Sequence, residues 1–174
     1  MNTPADPKQI FDPALKGTAL VLQPDEGESW WQPQPAGGYM TLKVGPDNCN
    51  SNFASFGVQC IAPGGYVREH WHSRQEEILF CFEGEGLFIV DGVEHRAVPG
   101  TTVFAGRWVR HKIVNTGKVD FKMTWTFLPP GLHEFAAAIG RPRRAGDTAP
   151  APFARPVDTL AVEKATGFGP KIGE

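Results

Sequence analysis

Cysteine is scarce in this chain: three residues, Cys49, Cys60 and Cys81, with no C-x-x-C spacing. An odd number without paired spacing excludes a disulfide framework. Long apolar runs are also missing. No stretch approaches the ~20 residues that a membrane-spanning helix needs. The opening MNTPADPKQIFDPALKG has no basic stretch followed by an apolar run, so no secretory signal is expected. Neither sign of charge is in excess: Lys and Arg number 17 against 19 Asp and Glu, a net charge of −2. That balance argues against a general electrostatic nucleic-acid binder, which needs a basic face. Arg141, Arg143 and Arg144 form one local basic patch, read here as a solvated turn. From these absences the expectation is a cytoplasmic, reducing location, with neither nucleic acid nor membrane as partner.

What is present is an ordinary globular composition, 41% hydrophobic and 21% charged over 174 residues. A chain of that length buries a core without staples, so any metal it holds is expected to be functional rather than a folding support. Gly (20) and Pro (16) are abundant and fall between short apolar runs, the texture of many strands and turns. Residues 1–38 read as a polar, Pro-rich arm. Trp30 and Trp31 in it form an aromatic patch suited to capping a core edge or an oligomer contact, with a substrate role as the lesser option.

Residues 39–130 read as strand after strand: YMTLKV, FASFGVQCIA, YVREHWH, EILFCFEGEGLFIV, TTVFAG, RHKIVNT and FKMTWTFL. EGEG and Asp91-Gly92 are hairpin signals. The pattern, without a long helix inside it, predicts an all-β antiparallel sandwich or barrel. Residues 131–174 differ: Leu132 to Ile139 predicts a short helix that closes one barrel end, with Gly140 as its stop. A Pro- and Ala-rich tail follows, with one weak helical stretch, VDTLAVEKA. It is expected to wrap a partner subunit or to remain partly mobile.

Four residues stand out by type and spacing. Strict strand alternation through YVREHWH puts Tyr66, Arg68, His70 and His72 on one face, and Val67, Glu69 and Trp71 on the other. Glu77 follows near the start of the next strand, and His111 opens another far downstream. Three imidazoles and one carboxylate suit a divalent transition metal, one per chain, with Fe first and Mn, Ni, Cu, Co or Zn as alternatives. Four protein ligands on an ion that prefers five or six leave open positions, the pattern of a catalytic site. His95, in a hairpin, reads as exposed, and His133 as facing solvent or the barrel end.

The spacing of these residues resembles the cupin superfamily. Its first motif, G(X)5HXH(X)3,4E(X)6G, is matched in full by Gly64, His70, His72, Glu77 and Gly84. Glu76 also fits the (X)3,4 interval, but the (X)6G element selects Glu77. The second motif, G(X)5PXG(X)2H(X)3N, keeps Gly100, His111 and Asn115. It has Gly106 where Pro is usual and Trp108 where Gly is usual, which puts the loop shape in question and aims Trp108 at the cavity mouth. The resemblance implies a conical double-stranded β-helix, or jelly roll, with extended terminal arms. It also implies a metal inside held by His70, His72, Glu77 and His111, and a homodimer.

Alternation adds Leu79, Cys81 and Ile113 to the cavity wall, and Phe104, Met123, Trp125 and Phe127 depending on register. Such an apolar pocket has no further carboxylate pair and no Ser/His/Asp pattern. Around a redox-capable metal it suits a dioxygenase acting on a small aromatic or enolic substrate, as in the monocupin dioxygenases the chain resembles. Glu77 would accept the substrate proton, Arg68 would hold a carboxylate or phenolate, and Tyr66 would donate a proton. The alternatives are a non-redox lyase, isomerase or decarboxylase, and a binding or sensor protein without turnover.

Overall fold

The computed structural model describes residues 16–169. The first fifteen residues of the expected arm and the last five of the tail lie outside the described residues.

Among the described residues, twelve strands and three short helices follow one another in the order β1 (Glu28–Trp31), β2 (Tyr39–Val44), α1 (Pro46–Cys49), β3 (Ser55–Ile61), β4 (Tyr66–His72), β5 (Glu76–Glu83), β6 (Gly86–Val90), β7 (Val93–Ala97), β8 (Thr102–Ala105), β9 (His111–Asn115), β10 (Phe121–Leu128), α2 (His133–Ile139), β11 (Arg141–Arg143), α3 (Thr159–Thr166) and β12 (Phe168–Gly169). They form two antiparallel sheets, a seven-stranded one ordered β11-β1-β2-β3-β10-β5-β8 and a five-stranded one ordered β12-β4-β9-β6-β7. The inward faces of both supply the core. The architecture is the expected all-β jelly roll, with the two sheets left unjoined at their edges.

Alternation builds the core. On β10 Phe121, Met123, Trp125 and Phe127 are fully buried, while Lys122, Thr124 and Thr126 point outward. Burying each of these large side chains contributes about 2 kcal/mol before entropy is counted. Trp125 needs Gly57 opposite it on β3, because a Cβ there would collide with the indole and with the Thr41 carbonyl. Gly84, the last residue of the first motif, has φ +79° and sits so close to the Asp120 carbonyl that a side chain is excluded.

Several expectations are corrected. Trp30 and Trp31 are not on a free arm: they lie in β1, paired with β2 on one side and β11 on the other. The residues read as a basic turn include an edge strand, in which the Arg143 guanidinium stacks 3.9 Å from the Tyr39 ring and Arg141 stacks 4.1 Å from Phe153. Asp91-Gly92 does turn a hairpin between β6 and β7, with both residues at positive φ. EGEG does not, because β5 and β6 belong to different sheets and the segment crosses between them. Of the tail, α3 packs against α2, and β12 pairs with β4, Phe168 opposite His72.

Candidate metal centre

The site is built on β4, β5 and β9. On β5, Glu77 faces inward with Leu79 and Cys81, and Glu76 faces away. On β9, His111 faces inward with Ile113 and Asn115. β4 does not keep strict alternation. Val67 pairs with Ile113, yet His70 pairs with His111, so one extra residue sits between them as a β-bulge. Val67 is therefore inward before the bulge, and His70 and His72 are inward after it.

The bulge corrects the expectation for Tyr66. It lies on the outer face, 37% exposed, with the Lys112 ammonium 4.9 Å from its ring centre. It does not border the pocket. Trp108 is corrected too: instead of entering the cavity mouth it is exposed and packs 4.5 Å from Trp71. Its φ of 69° is the left-handed conformation that the usual Gly adopts with ease. Arg68, within the bulge, borders the pocket and donates to Glu163 Oε1 at 2.9 Å.

His70, His72, Glu77 and His111 come together, with one donor atom from each lying within 4.8 Å of the others. Donors that are ~2.1 Å from a common ion sit ~3–4 Å apart, so small side-chain adjustments bring the four onto one ion. Two tautomers are set by backbone carbonyls, which can only accept. His70 Nδ1 donates to Arg68 O at 2.8 Å, and His111 Nδ1 to Val109 O at 3.0 Å. In both rings the lone pair is then on Nε2, directed into the cluster. His111 Nε2 is 2.9 Å from Glu77 Oε2, yet it makes no hydrogen bond, as the angle is wrong for one. A buried nitrogen left unpaired beside a carboxylate is what a metal ligand looks like without its ion, so the residues present fit the group.

The electrostatics favour the same use. Burial, with the neighbouring imidazoles, pushes His70 well below the ordinary histidine range. Burial also lowers His72. Both rings are thus neutral and able to ligate. Burial alone would raise Glu77, but hydrogen-bonding proximity to His111 and His72, and their charge, outweigh it and hold the carboxyl well below the usual range. For His111, burial is the largest influence and acts downward, but the proximity and charge of Glu77, with the Val109 carbonyl and Asp91, together outweigh it, so its value is raised.

His70 and Glu77 open onto a cavity of about 50 Å³. Its apolar wall includes Met40, Ile113, Phe127, Leu132, Phe135 and Phe168. Ile113 and Phe127 were expected there. Leu79, Cys81, Met123 and Trp125 are instead buried in the core behind it, and Phe104 is 62% exposed on the outer face. Sequence reasoning missed the polar lining: Gln32, Gln59, Glu69, Arg155 and Glu163. Glu163 Oε1 bridges Arg68 and Arg155, the latter at 3.4 Å. Burial raises the Glu163 carboxyl against the pull of the two guanidiniums, and lowers Arg155 to about 10. Only Gln59 carried a local signal, as an amide at an inward position of an apolar strand. The others arrive through long-range packing.

Residues 57–127 match the family model of the cupin domain. This segment, which carries His70, His72, Glu77 and His111, is a cupin domain. This cupin is 27% identical over 137 residues to the tetracenomycin polyketide synthase protein TcmJ of Streptomyces glaucescens, an alignment that spans 79% of this chain and 80% of that one. Its fold is shared with a protein from Thermotoga maritima described as a predicted oxalate decarboxylase (TM-score 0.55, 22% identity, 63% of this chain and 99% of that one). It is shared also with an RmlC-like cupin from Shewanella frigidimarina (TM-score 0.53, 18% identity, 65% of this chain and 93% of that one). The cupin barrel carries a three-histidine, one-glutamate group able to hold a metal ion. Among the described residues, no helix is long and apolar enough to cross a membrane.

Proposed function

We propose that this cupin is a metal-dependent dioxygenase acting on a small aromatic or enolic compound, with iron as the ion held by His70, His72, Glu77 and His111. The observation that carries this reading is a three-histidine, single-carboxylate donor set opening onto a small, largely apolar cavity. A redox-active ion held there supplies Lewis acidity toward an enol or phenol oxygen and a path for oxygen chemistry. The chain's own residues do the rest. Phe127, Phe135 and Phe168 keep water from the reacting atoms and offer flat surfaces to a flat substrate. Arg68 gives the wall a cation suited to an anionic oxygen, and its bond to Glu163 fixes its direction. Glu77, held ionised, is the carboxylate beside the donor cluster suited to take a substrate proton.

A second reading, a non-redox lyase, isomerase or decarboxylase, is favoured by one observation: Glu163 brings an additional carboxylate to the cavity wall. The relative named for the tetracenomycin polyketide synthase fits either reading, since polyketide chains are rich in enol and phenol oxygens. The deciding experiment is elemental analysis of the purified protein together with oxygen uptake on a panel of phenols, enols and flavonols. Near one iron per chain with substrate-dependent oxygen consumption supports the dioxygenase. Product formation under nitrogen with zinc bound moves the assignment to the non-redox class. Binding without any product leaves a sensor. The working unit is proposed to be a homodimer. An exposed apolar row, Ile78, Phe80 and Phe82 on β5 with Phe104 beside Ile78 on β8, supports this, and sedimentation equilibrium tests it.

A further inference from the structure

The cavity has one polar feature whose orientation is dictated by the fold. Gln32 Nε2 lies among three backbone carbonyls, at 2.8 Å from Gly37 O, 2.8 Å from Cys60 O and 3.3 Å from Tyr39 O. Carbonyls only accept, so that position must be the NH2 end of the amide, and the usual ambiguity between amide O and N does not arise. Gln32 must then offer Oε1 at its other end. Gln59 Nε2 donates to that oxygen at 2.6 Å. Gln59 in turn is left with Oε1 as its free end. Among the described residues no group donates to this oxygen, although Gln59 is only 7% exposed and borders the cavity.

The oxygen is unpaired but open to the cavity, where a donor carried by a ligand can reach it. Its neighbours make the choice of an amide more pointed. Across the strands Gln59 faces Met40 on β2 and Met123 on β10, both of them buried, so its amide is set among apolar neighbours. The relay of two glutamines thus carries the directionality of three backbone carbonyls to one oxygen on the cavity wall.

We infer that Gln59 Oε1 is a fixed specificity determinant, accepting a hydrogen bond from a hydroxyl or amine donor that the substrate carries in addition to its enol or phenol oxygen. This inference rests on the substrate class proposed above and narrows it: a ligand with one oxygen for the donor cluster and a second, donating group for Gln59. Gln59 binds and selects. It takes no part in the chemical step. A rotated or ionised group cannot substitute for it, since the amide cannot turn without breaking its bond to Gln32.

The test uses the full chain loaded with zinc, which supports binding without oxygen chemistry, and four phenols that differ in one meta substituent. Resorcinol and 3-aminophenol carry a donor there. 3-Fluorophenol and 3-methoxyphenol do not. Dissociation constants are read by titration calorimetry. The donor pair is expected to bind about tenfold more tightly than the other pair, the worth of one buried neutral hydrogen bond. In Gln59→Met, that preference should shrink to within about twofold, through weaker binding of the donor pair. Gln59→Asn keeps an amide but withdraws it by one methylene, and it should give the same loss if the Met variant does not fold. Equal binding of all four phenols by the wild type overturns the inference and leaves the enol and phenol reading in place. A donor preference that survives unchanged in a folded Gln59 variant also overturns it. If none of the phenols binds, both fall together.

Discussion

Glu163→Gln removes one charge and almost no volume, so its effect isolates the electrostatics of the tail against the barrel. Glu163 Oε1 is 2.9 Å from Arg68 and 3.4 Å from Arg155, and its side chain is 9% exposed. Without the carboxylate, two guanidiniums face a neutral amide. Breaking a fully buried ion pair in this way costs roughly 3–5 kcal/mol, and a solvent-exposed pair roughly 0–1. Arg68 is 34% exposed and Arg155 18%, so the cluster falls between these limits and solvent screening is substantial. The expected loss is about 2 kcal/mol, or about 4–8 °C in Tm for a domain of this size. Urea denaturation followed by tryptophan fluorescence measures it. The cycle is completed with Arg68→Met and the double variant. The double variant should recover about half of the loss of Glu163→Gln, because it removes the unpaired charge as well. A loss below about 0.5 kcal/mol, or strict additivity of the two changes, would refute the claim that these charges hold the tail over the cavity.

Other outcomes follow from the same geometry. His70→Ala and His111→Ala should each lower metal affinity by more than about 100-fold while circular dichroism still reports a folded barrel. Unfolding of both variants would mean that the metal supports the fold instead. Asn115→Leu should cost about 3 kcal/mol. Buried Asn115 donates to Ile61 O at 2.8 Å and Val119 O at 2.9 Å and accepts from Gly117 N at 2.9 Å, and leucine leaves all three groups unpaired. A urea midpoint that hardly moves would contradict that role. The metal-free protein should lose stability as pH falls below the ordinary histidine value of 6.5, since His70 and His72 have lowered values in the folded state and protonate first in the unfolded chain. The depressed Glu77 adds a loss of the same sign below its ordinary value of 4.5, while the raised His111 acts in the opposite direction. Zinc should shift the acid midpoint downward. A stability that is flat from pH 7 to 5 without metal would be inconsistent with buried neutral histidines.

Much of this protein was legible in its residue order. Period-two alternation in FKMTWTFL and EEILFCFE assigns inward and outward faces, and with them the core, because a strand has only two sides. The interval between His72 and Gly84 selects Glu77 over Glu76, and the structure has Glu77 inward. The convergence of His70, His72, Glu77 and His111 was readable from type and spacing. Three things were not. One bulged residue in β4 reverses the facing of Tyr66, and nothing local in YVREHWH announces it, since a bulge is decided by the register with β9. The destination of the tail depends on the Glu163 ion pairs and on Phe168 packing against Phe135 at 4.9 Å, contacts between residues far apart in sequence. The free oxygen of Gln59 exists only because Gln32, twenty-seven positions earlier, has its amide fixed by three carbonyls. Alternation and spacing are local and survive in one dimension. Register, tail docking and amide direction are set by which strands and loops meet, and only the tertiary structure brings them together.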